Sequence, residues 1–346
     1  VEARIENGEP ISKVSLAGLD LSGGALLGAV FESVDLTGAD LTGANLERAN
    51  FIDCNLTKAS LAEATLAKAS VYNSHFAAAR LHKAALDRMS FAKCDLTDAQ
   101  VTQAAVTSAA IVECNLTRTC FAGSHFERSS IVDCPTSGID ISNTSWHRAS
   151  LMNADLREAK LDGAQFSRST LMGANFSGRH LPGFGFAACL LNAADFTSCD
   201  LTGADFTQTM LIGARFSGAC LVRAKLARAV LTNAVLTGAD FTDADLTQAI
   251  LLDADAADAI FIRANLYQAI AVRLRAPGAQ FANANLTYAD FSHAVLDRAD
   301  LTGVTFGRTN FHQVSDQDAT IPSRNGVLMT DPERNQSENW HARASS

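Results

Sequence analysis

The chain has 346 residues, of which 47% are hydrophobic and 19% charged, with a formal net charge of −9 and an isoelectric point of about 5.3. That acidity argues against general affinity for nucleic acid or for an acidic membrane surface. No apolar run is long enough for a transmembrane helix, and the opening VEARIENGEPISK lacks the apolar core of a signal peptide and an initiator Met. A piece of a larger bacterial protein, resident in the cytoplasm, is expected.

Residues 1–13 are polar and fall outside any repeat, so they are read as an N-terminal lead-in or cap. From residue 14 the chain repeats itself. Every fifth position from Leu16 to Phe311 gives 60 sites, and all but Thr136, Ala256, Ala271 and Ala276 carry Leu, Phe, Val, Ile or Trp. Of the 60 sites two places earlier, 36 are Ala, as at Ala39, Ala44 and Ala49, and 15 more are Ser, Cys, Thr or Gly. The site just before the large residue is often Asp or Asn, as at Asp35, Asp40, Asn45, Asn50 and Asn55. A strand shows one face at period 2 and a helix at 3.6, so a period of five fits neither. A chain with one large and one small inward residue in every five must turn after each unit. Thr37-Gly38, Thr42-Gly43, Thr202-Gly203 and Thr237-Gly238 supply turn chemistry at those places. Stacked turns make a solenoid in which each coil touches only its neighbours.

Units such as Ala39-Asp40-Leu41-Thr42-Gly43 and Ala44-Asn45-Leu46-Glu47-Arg48 resemble the A(D/N)LXX motif of the pentapeptide-repeat family. The resemblance spans residues 14–313. It implies an all-β fold, a right-handed quadrilateral parallel β-helix with four pentapeptides per coil and about 15 coils. A coil of 20 residues has an independent check. The site two after each large residue carries Lys or Arg sixteen times, and eight of these are separated by multiples of 20: Arg48, Lys68, Arg88, Arg128, Arg148, Arg168, Arg228 and Arg308. Residues 314–346 leave the repeat and are read as a partly extended, partly disordered tail without a clear amphipathic helix.

Three stretches strain the chemistry without shifting the register. CPTSGIDISNTSW places Pro135 and Thr136 where Asn and Leu belong; SGRHLPGFGF places Arg179 and Phe184 at the small inward site, with Pro182 between them; AVRLRAPGAQ places Leu274 there, followed by Pro277. A charged inward residue is costly unless paired, so a bulge that turns Arg179 outward is expected.

Eight cysteines raise the question of metal or disulfides. Cys54, Cys94, Cys114, Cys134, Cys189 and Cys199 all occupy the small inward site, with Cys120 and Cys220 next to it, and there is no CxxC pair. They are read as space-filling thiols in a reducing compartment. The eight histidines are scattered, and PGFGFAA lacks the strand–helix setting of a phosphate loop. Paired carboxylates lie on an open surface, where general acid–base chemistry lacks a desolvated site. The sequence therefore points to no enzyme, no cofactor and no metal.

Two charged surfaces are the candidate sites. One is a basic stripe for an acidic partner: Arg48, Lys68, Arg88, Arg128, Arg148 and Arg168. The other is an acidic patch, Asp240, Asp243, Asp245, Asp253, Asp255 and Asp258, with no Lys or Arg inside its own stretch. The leading expectation is a protein-interaction scaffold or adaptor that presents flat faces to a protein partner. The family resemblance extends to arrays fused to larger bacterial proteins, including adaptor-like proteins of secretion systems. The alternative it implies is a DNA mimic that binds gyrase or topoisomerase and confers quinolone protection. The basic stripe counts against that alternative.

Overall fold

The computed structural model describes residue 4 and residues 8–338, which fall into two units, 1–175 and 176–346. In the first unit, backbone pairing links residues 20 apart without exception of phase. Eight short parallel strands stack into one sheet: Ile11–Ser12, Val30–Glu32, Asn50–Ile52, Ser70–Tyr72, Ser90–Ala92, Ala110–Val112, Ser130–Val132 and Ser150–Leu151. Phe31 pairs with Phe51, Phe51 with Val71, and so on up the sheet. Ala105–Thr107, His125–Glu127, Ser145–His147 and Gln165–Ser167 form a second parallel sheet of four. The remaining sides are held by single bridges such as Asp35 to Asn55 and Asp40 to Ser60. The second unit keeps the same step in bridges from His180 to Asp200 through Asp300 to Thr320. Both units are therefore parallel β-solenoids with four pentapeptides to the coil.

The corners explain the motif. At Leu36–Ala39 the Ala39 N–H donates to the Leu36 carbonyl at 3.0 Å and Gly38 has φ +64°, a type II turn. The Asp before the large residue orders the same corner. Asp35 Oδ1 accepts from the Thr37 N–H at 3.0 Å and from its hydroxyl at 2.6 Å. Some other corners run on as strand, as after Phe51, Val106 and Ile111, and the small-site N–H then finds a side chain one coil along. The Cys54 N–H donates to Ser74 Oγ at 3.0 Å, the Ala109 N–H to Ser129 Oγ at 3.1 Å, and the Cys114 N–H to Cys134 Sγ at 3.3 Å. Ser and Cys at the small site thus satisfy backbone donors as well as fill space.

The interior is a set of columns. Residues 20 apart stack, so Phe176, Phe196 and Phe216 lie ring on ring at 4.9 and 5.0 Å, and Phe126 stacks on Trp146 at 3.9 Å. All five rings are buried. Each large residue taken from water contributes about 1.5–3 kcal/mol.

The strained stretches are more regular than the sequence suggests. No bulge forms at Arg179: Gly178 takes φ +72°, the Arg179 N–H donates to Phe176 O at 3.1 Å, and the Asp200 N–H donates to Arg179 O at 2.8 Å. The corner is closed by Gly178 whatever side chain follows, and Arg179 is left half-buried. Pro182-Gly183 and Pro277-Gly278 are central pairs of type II turns, where Pro and then Gly are the favoured residues. Phe184 is half-buried, with its ring 4.8 Å from Phe186. Leu274 is fully buried and supplies the volume that Ala271 and Ala276 lack. Among the residues of these stretches, Pro135 is the one that disturbs the ladder. There the Thr136 hydroxyl takes over, donating to Asp155 O at 3.1 Å and accepting from the Asp155 N–H at 2.8 Å.

The ends differ from the boundaries read in the sequence. Coiled pairing begins at Ile11, which bridges to Phe31, and runs past Gln313 to Thr320. The motif stops being legible earlier because Asp316 occupies a large-residue site. The tail is ordered in part. Val327–Leu328 pairs in parallel with Thr309–Asn310, so that the Thr309 and Phe311 N–H groups donate to Gly326 O and Leu328 O. A helix follows at Pro332–Glu338, started by Asp331, whose Oδ1 accepts from the Glu333 and Arg334 N–H groups. The expectation of tail disorder beyond Glu338 falls outside the described residues.

Candidate partner-binding surfaces

The basic stripe is built by the coil itself. Arg48, Lys68, Arg88, Arg128, Arg148 and Arg168 all sit at the left-handed residue of a corner, with φ between 50° and 59°. Successive coils are tied together at this point: the Arg48 N–H donates to Ala67 O, Lys68 to Asp87 O, Arg88 to Thr107 O, Arg128 to His147 O and Arg148 to Ser167 O. The six side chains therefore share one edge of the first unit. Glu47 lies 3.0 Å from Lys68 and 3.8 Å from Arg48, and Glu127 lies 3.2 Å from Arg128. Arg48, Arg88 and Arg128 remain about two-thirds exposed, so these exposed pairs leave the positive charge largely accessible.

The acidic patch of the second unit is spent locally. Asp243 accepts a two-pronged bond from Arg263 at 2.7 and 2.7 Å, and Asp253 the same from Arg273 at 2.6 and 2.7 Å. Each arginine holds its partner's carboxyl below the usual range. Asp240, Asp245 and Asp255 order corners through the N–H groups of Thr242, Thr247 and Ala257. Asp258 rests against Gly278, where a Cβ would clash. The patch looked free of cations because its neutralising arginines stand 20 residues on.

One cluster escaped the sequence reading. His293 and His312, from neighbouring coils, meet Glu338 of the terminal helix, with ligand-capable atoms all within 4.8 Å. The Asp331 N–H donates to His312 Nδ1 at 3.2 Å, which places the ring proton on Nε2, and Nε2 donates to Glu338 at 2.9 Å. A metal on Nε2 would need that proton on Nδ1, where a donor already points, so the arrangement fits a hydrogen-bonded clamp better than a metal centre. Together with Arg334, His312 holds the Glu338 carboxyl down to about 2. The signal available in the sequence was the two histidines lying 19 apart, on adjacent coils.

The cysteines are free thiols; Cys120 and Cys220 are half-buried and the other six buried. Burial pushes the Cys199 thiol up to about 11 and raises that of Cys54. Among the described residues no helix is long and apolar enough to cross a membrane.

The pentapeptide-repeat profile matches in eight copies, over residues 15–51, 44–82, 149–181, 189–226, 221–251, 239–272 and 278–313. No curated protein is significantly similar to the chain. Among solved structures it is similar to HetL, a pentapeptide repeat protein involved in heterocyst differentiation regulation in the cyanobacterium Nostoc, at 22% identity over 67% of this chain and 90% of that one, with a TM-score of 0.44. A trypsin-treated QnrB1, a plasmid-mediated fluoroquinolone resistance protein, matches at 24% identity over 67% of this chain and 94% of its own, with a TM-score of 0.28. Rfr23 of the cyanobacterium Cyanothece matches at 21% identity over 43% and 91%, with a TM-score of 0.23. The unmatched stretch between residues 82 and 149 keeps the same step of 20 in its pairing. With the profile covering more than half of its length and that pairing underneath, the chain belongs to the pentapeptide-repeat family.

Proposed function

We propose that the chain is a non-enzymatic, cytoplasmic bacterial protein-interaction scaffold whose first unit offers a basic column to an acidic protein partner. The observation that carries this reading is the column itself. Six Arg and Lys side chains stand at one corner of the coils from Arg48 to Arg168, with Ser108 the one gap, and the backbone that bears them is tied coil to coil. Replacing Arg88, Arg128 and Arg148 together by Glu reverses the column without touching the core. The expected result is loss of the captured partner in a pull-down. Unchanged capture by a correctly folded triple variant would exclude the column as the docking surface.

The second reading is a gyrase-binding DNA mimic. A mimic of duplex needs exposed, unpaired negative charge, and the pairing of Asp243 with Arg263 and of Asp253 with Arg273 supports the scaffold instead. A supercoiling assay separates the two. Inhibition or drug protection at near-stoichiometric protein would favour mimicry, and its absence alongside partner capture favours the scaffold.

A further inference from the structure

The second unit carries a row of apolar side chains where the repeat ordinarily places Asp, Asn or Ser. Leu190, Met210, Val230, Ile250 and Ile270 succeed one another at steps of 20, each bridged to the next through its backbone. Two residues on, and so on the same side of the coil, stand Ile212, Leu252 and Val272. Leu190, Ile212 and Ile270 are 41%, 37% and 43% exposed, and the others are half-buried. The row of five and the second row, which Asn192 and Thr232 interrupt, flank the buried Leu191, Leu211, Leu231, Leu251 and Ala271 and make one apolar stripe. Its edges are polar and already satisfied. Arg228 donates to Gln248 at 2.8 Å and Gln248 to Gln268 at 2.7 Å along one side, and the Asp253–Arg273 pair lies on the other. An apolar stripe with a polar rim is the signature of a docking surface rather than of ordinary solvent-facing coil.

The same side of the unit already receives a helix. Ser292 and His312 hold the coil positions equivalent to Leu252 and Val272, yet each is only 1% exposed. There the helix Pro332–Glu338 lies against the coils, with Glu338 bonded to His312 and 3.4 Å from His293, and Asn335 accepting from Gln313 at 2.7 Å. The apolar stripe continues this helix-bearing surface onto coils where no described segment covers it.

We propose that the stripe docks an amphipathic α-helix of a protein partner, in continuation of the site that holds the chain's own helix. The spacing fits. Coils stand ~4.8 Å apart, and apolar residues three or four apart on a helix rise ~4.5–6 Å, so one helical row meets successive rungs. Five rungs span ~20 Å, the length of ~13 helical residues. The rim carries the Asp253–Arg273 ion pair and Arg228, which is bonded to the neutral Gln248 amide, so the partner's flanks are mainly uncharged polar. This inference deepens the scaffold reading and rests on it.

The test uses a fluorescein-labelled, net-neutral helical peptide of roughly 14 residues with Leu on one face and Gln and Ala elsewhere, titrated against the full chain by fluorescence anisotropy. A scrambled peptide of the same composition should bind at least about tenfold more weakly. The double variant Ile250→Asn, Leu252→Asn should cost the amphipathic peptide about tenfold or more in affinity, with an unchanged thermal melt, whereas Lys225→Gln, on a different side, leaves binding intact. Equal binding of the two peptides, or binding untouched by the double variant, overturns the proposal. So does self-association in sedimentation, or binding to phosphatidylcholine vesicles, that the double variant abolishes while the peptide fails to bind. The probe is uncharged, so its failure leaves capture of an acidic partner by the basic column standing, and the two readings fail separately.

Discussion

A left-handed residue closes nearly every corner of these coils, and glycine takes that place without strain at Gly38 and Gly43. At Arg128, with φ 52°, an L-residue stands there at a cost of about 1 kcal/mol, and its exposed contact with Glu127 recovers little. Arg128→Gly is therefore expected to raise unfolding stability by about 0.5 kcal/mol in urea titration, after allowance for the greater chain entropy of glycine. A loss of stability would show that the ion pair outweighs the backbone strain. The interior responds in the opposite sense. Phe196 is sandwiched between Phe176 and Phe216, so Phe196→Ala should cost about 3–5 kcal/mol by the same measurement. Burial favours the protonated form of the Cys54 and Cys199 thiols, and all six buried cysteines are shut off from solvent. A thiol-reactive dye should accordingly titrate the six buried cysteines only after denaturation, and prompt labelling of Cys199 in the native protein would contradict the packing.

The elements that the sequence made legible are those that repeat. A large residue every fifth place, a small one two before it and Asp or Asn between them sufficed to give the coil, its corners and its core, because each coil imposes the same inward geometry on the next. What stayed hidden lies in contacts that no period announces. The terminal strand Val327–Leu328 docks by backbone pairing to Thr309–Asn310, and the helix Pro332–Glu338 through Glu338 on His293 and His312, groups brought together only by the fold. Arg263 and Arg273 were visible as residues, yet their pairing with Asp243 and Asp253 appears only when the 20-residue step is applied across the edge of the acidic stretch. The terminal clamp has a pH dependence with a definite sign. The folded Glu338 carboxyl, faced by His312, His293 and Arg334, titrates at about 2 against an ordinary 4.5. A depressed carboxyl stabilises docking above the ordinary value, and that contribution fades as pH falls from 4.5 towards 2. Hydrogen-exchange protection, corrected for the intrinsic rate at each pH, should therefore fall across residues 326–338 in that window before it falls in the core coils. Glu338→Gln should show the lower protection already at neutral pH.

Over the whole molecule a net charge of −9 coexists with a column of one sign, so the chain's electrostatics cannot be read from its total. Acidic residues are largely committed. Some order corners, as Asp35 and Asp240 do, and others pair with the coil above, as Asp98 does with Arg118. The basic column is committed less, since Arg48, Arg88 and Arg128 stay about two-thirds exposed beside their neighbouring carboxylates. Cations about 4.8 Å apart repel by about 1 kcal/mol even in water, so a bound acidic partner relieves a repulsion that the free chain carries. That relief is screened by salt, whose Debye length is ~10 Å at 0.1 M and ~3 Å at 1 M. Capture of an acidic partner through this column should therefore weaken steadily as salt is raised between those limits. The Arg88, Arg128, Arg148 triple reversal to Glu should capture weakly at every salt concentration. Docking on the apolar stripe of the second unit, being uncharged, should strengthen slightly or hold constant over the same range. A partner whose capture ignores salt in the wild-type chain, and persists in the triple variant, is not held by the basic column.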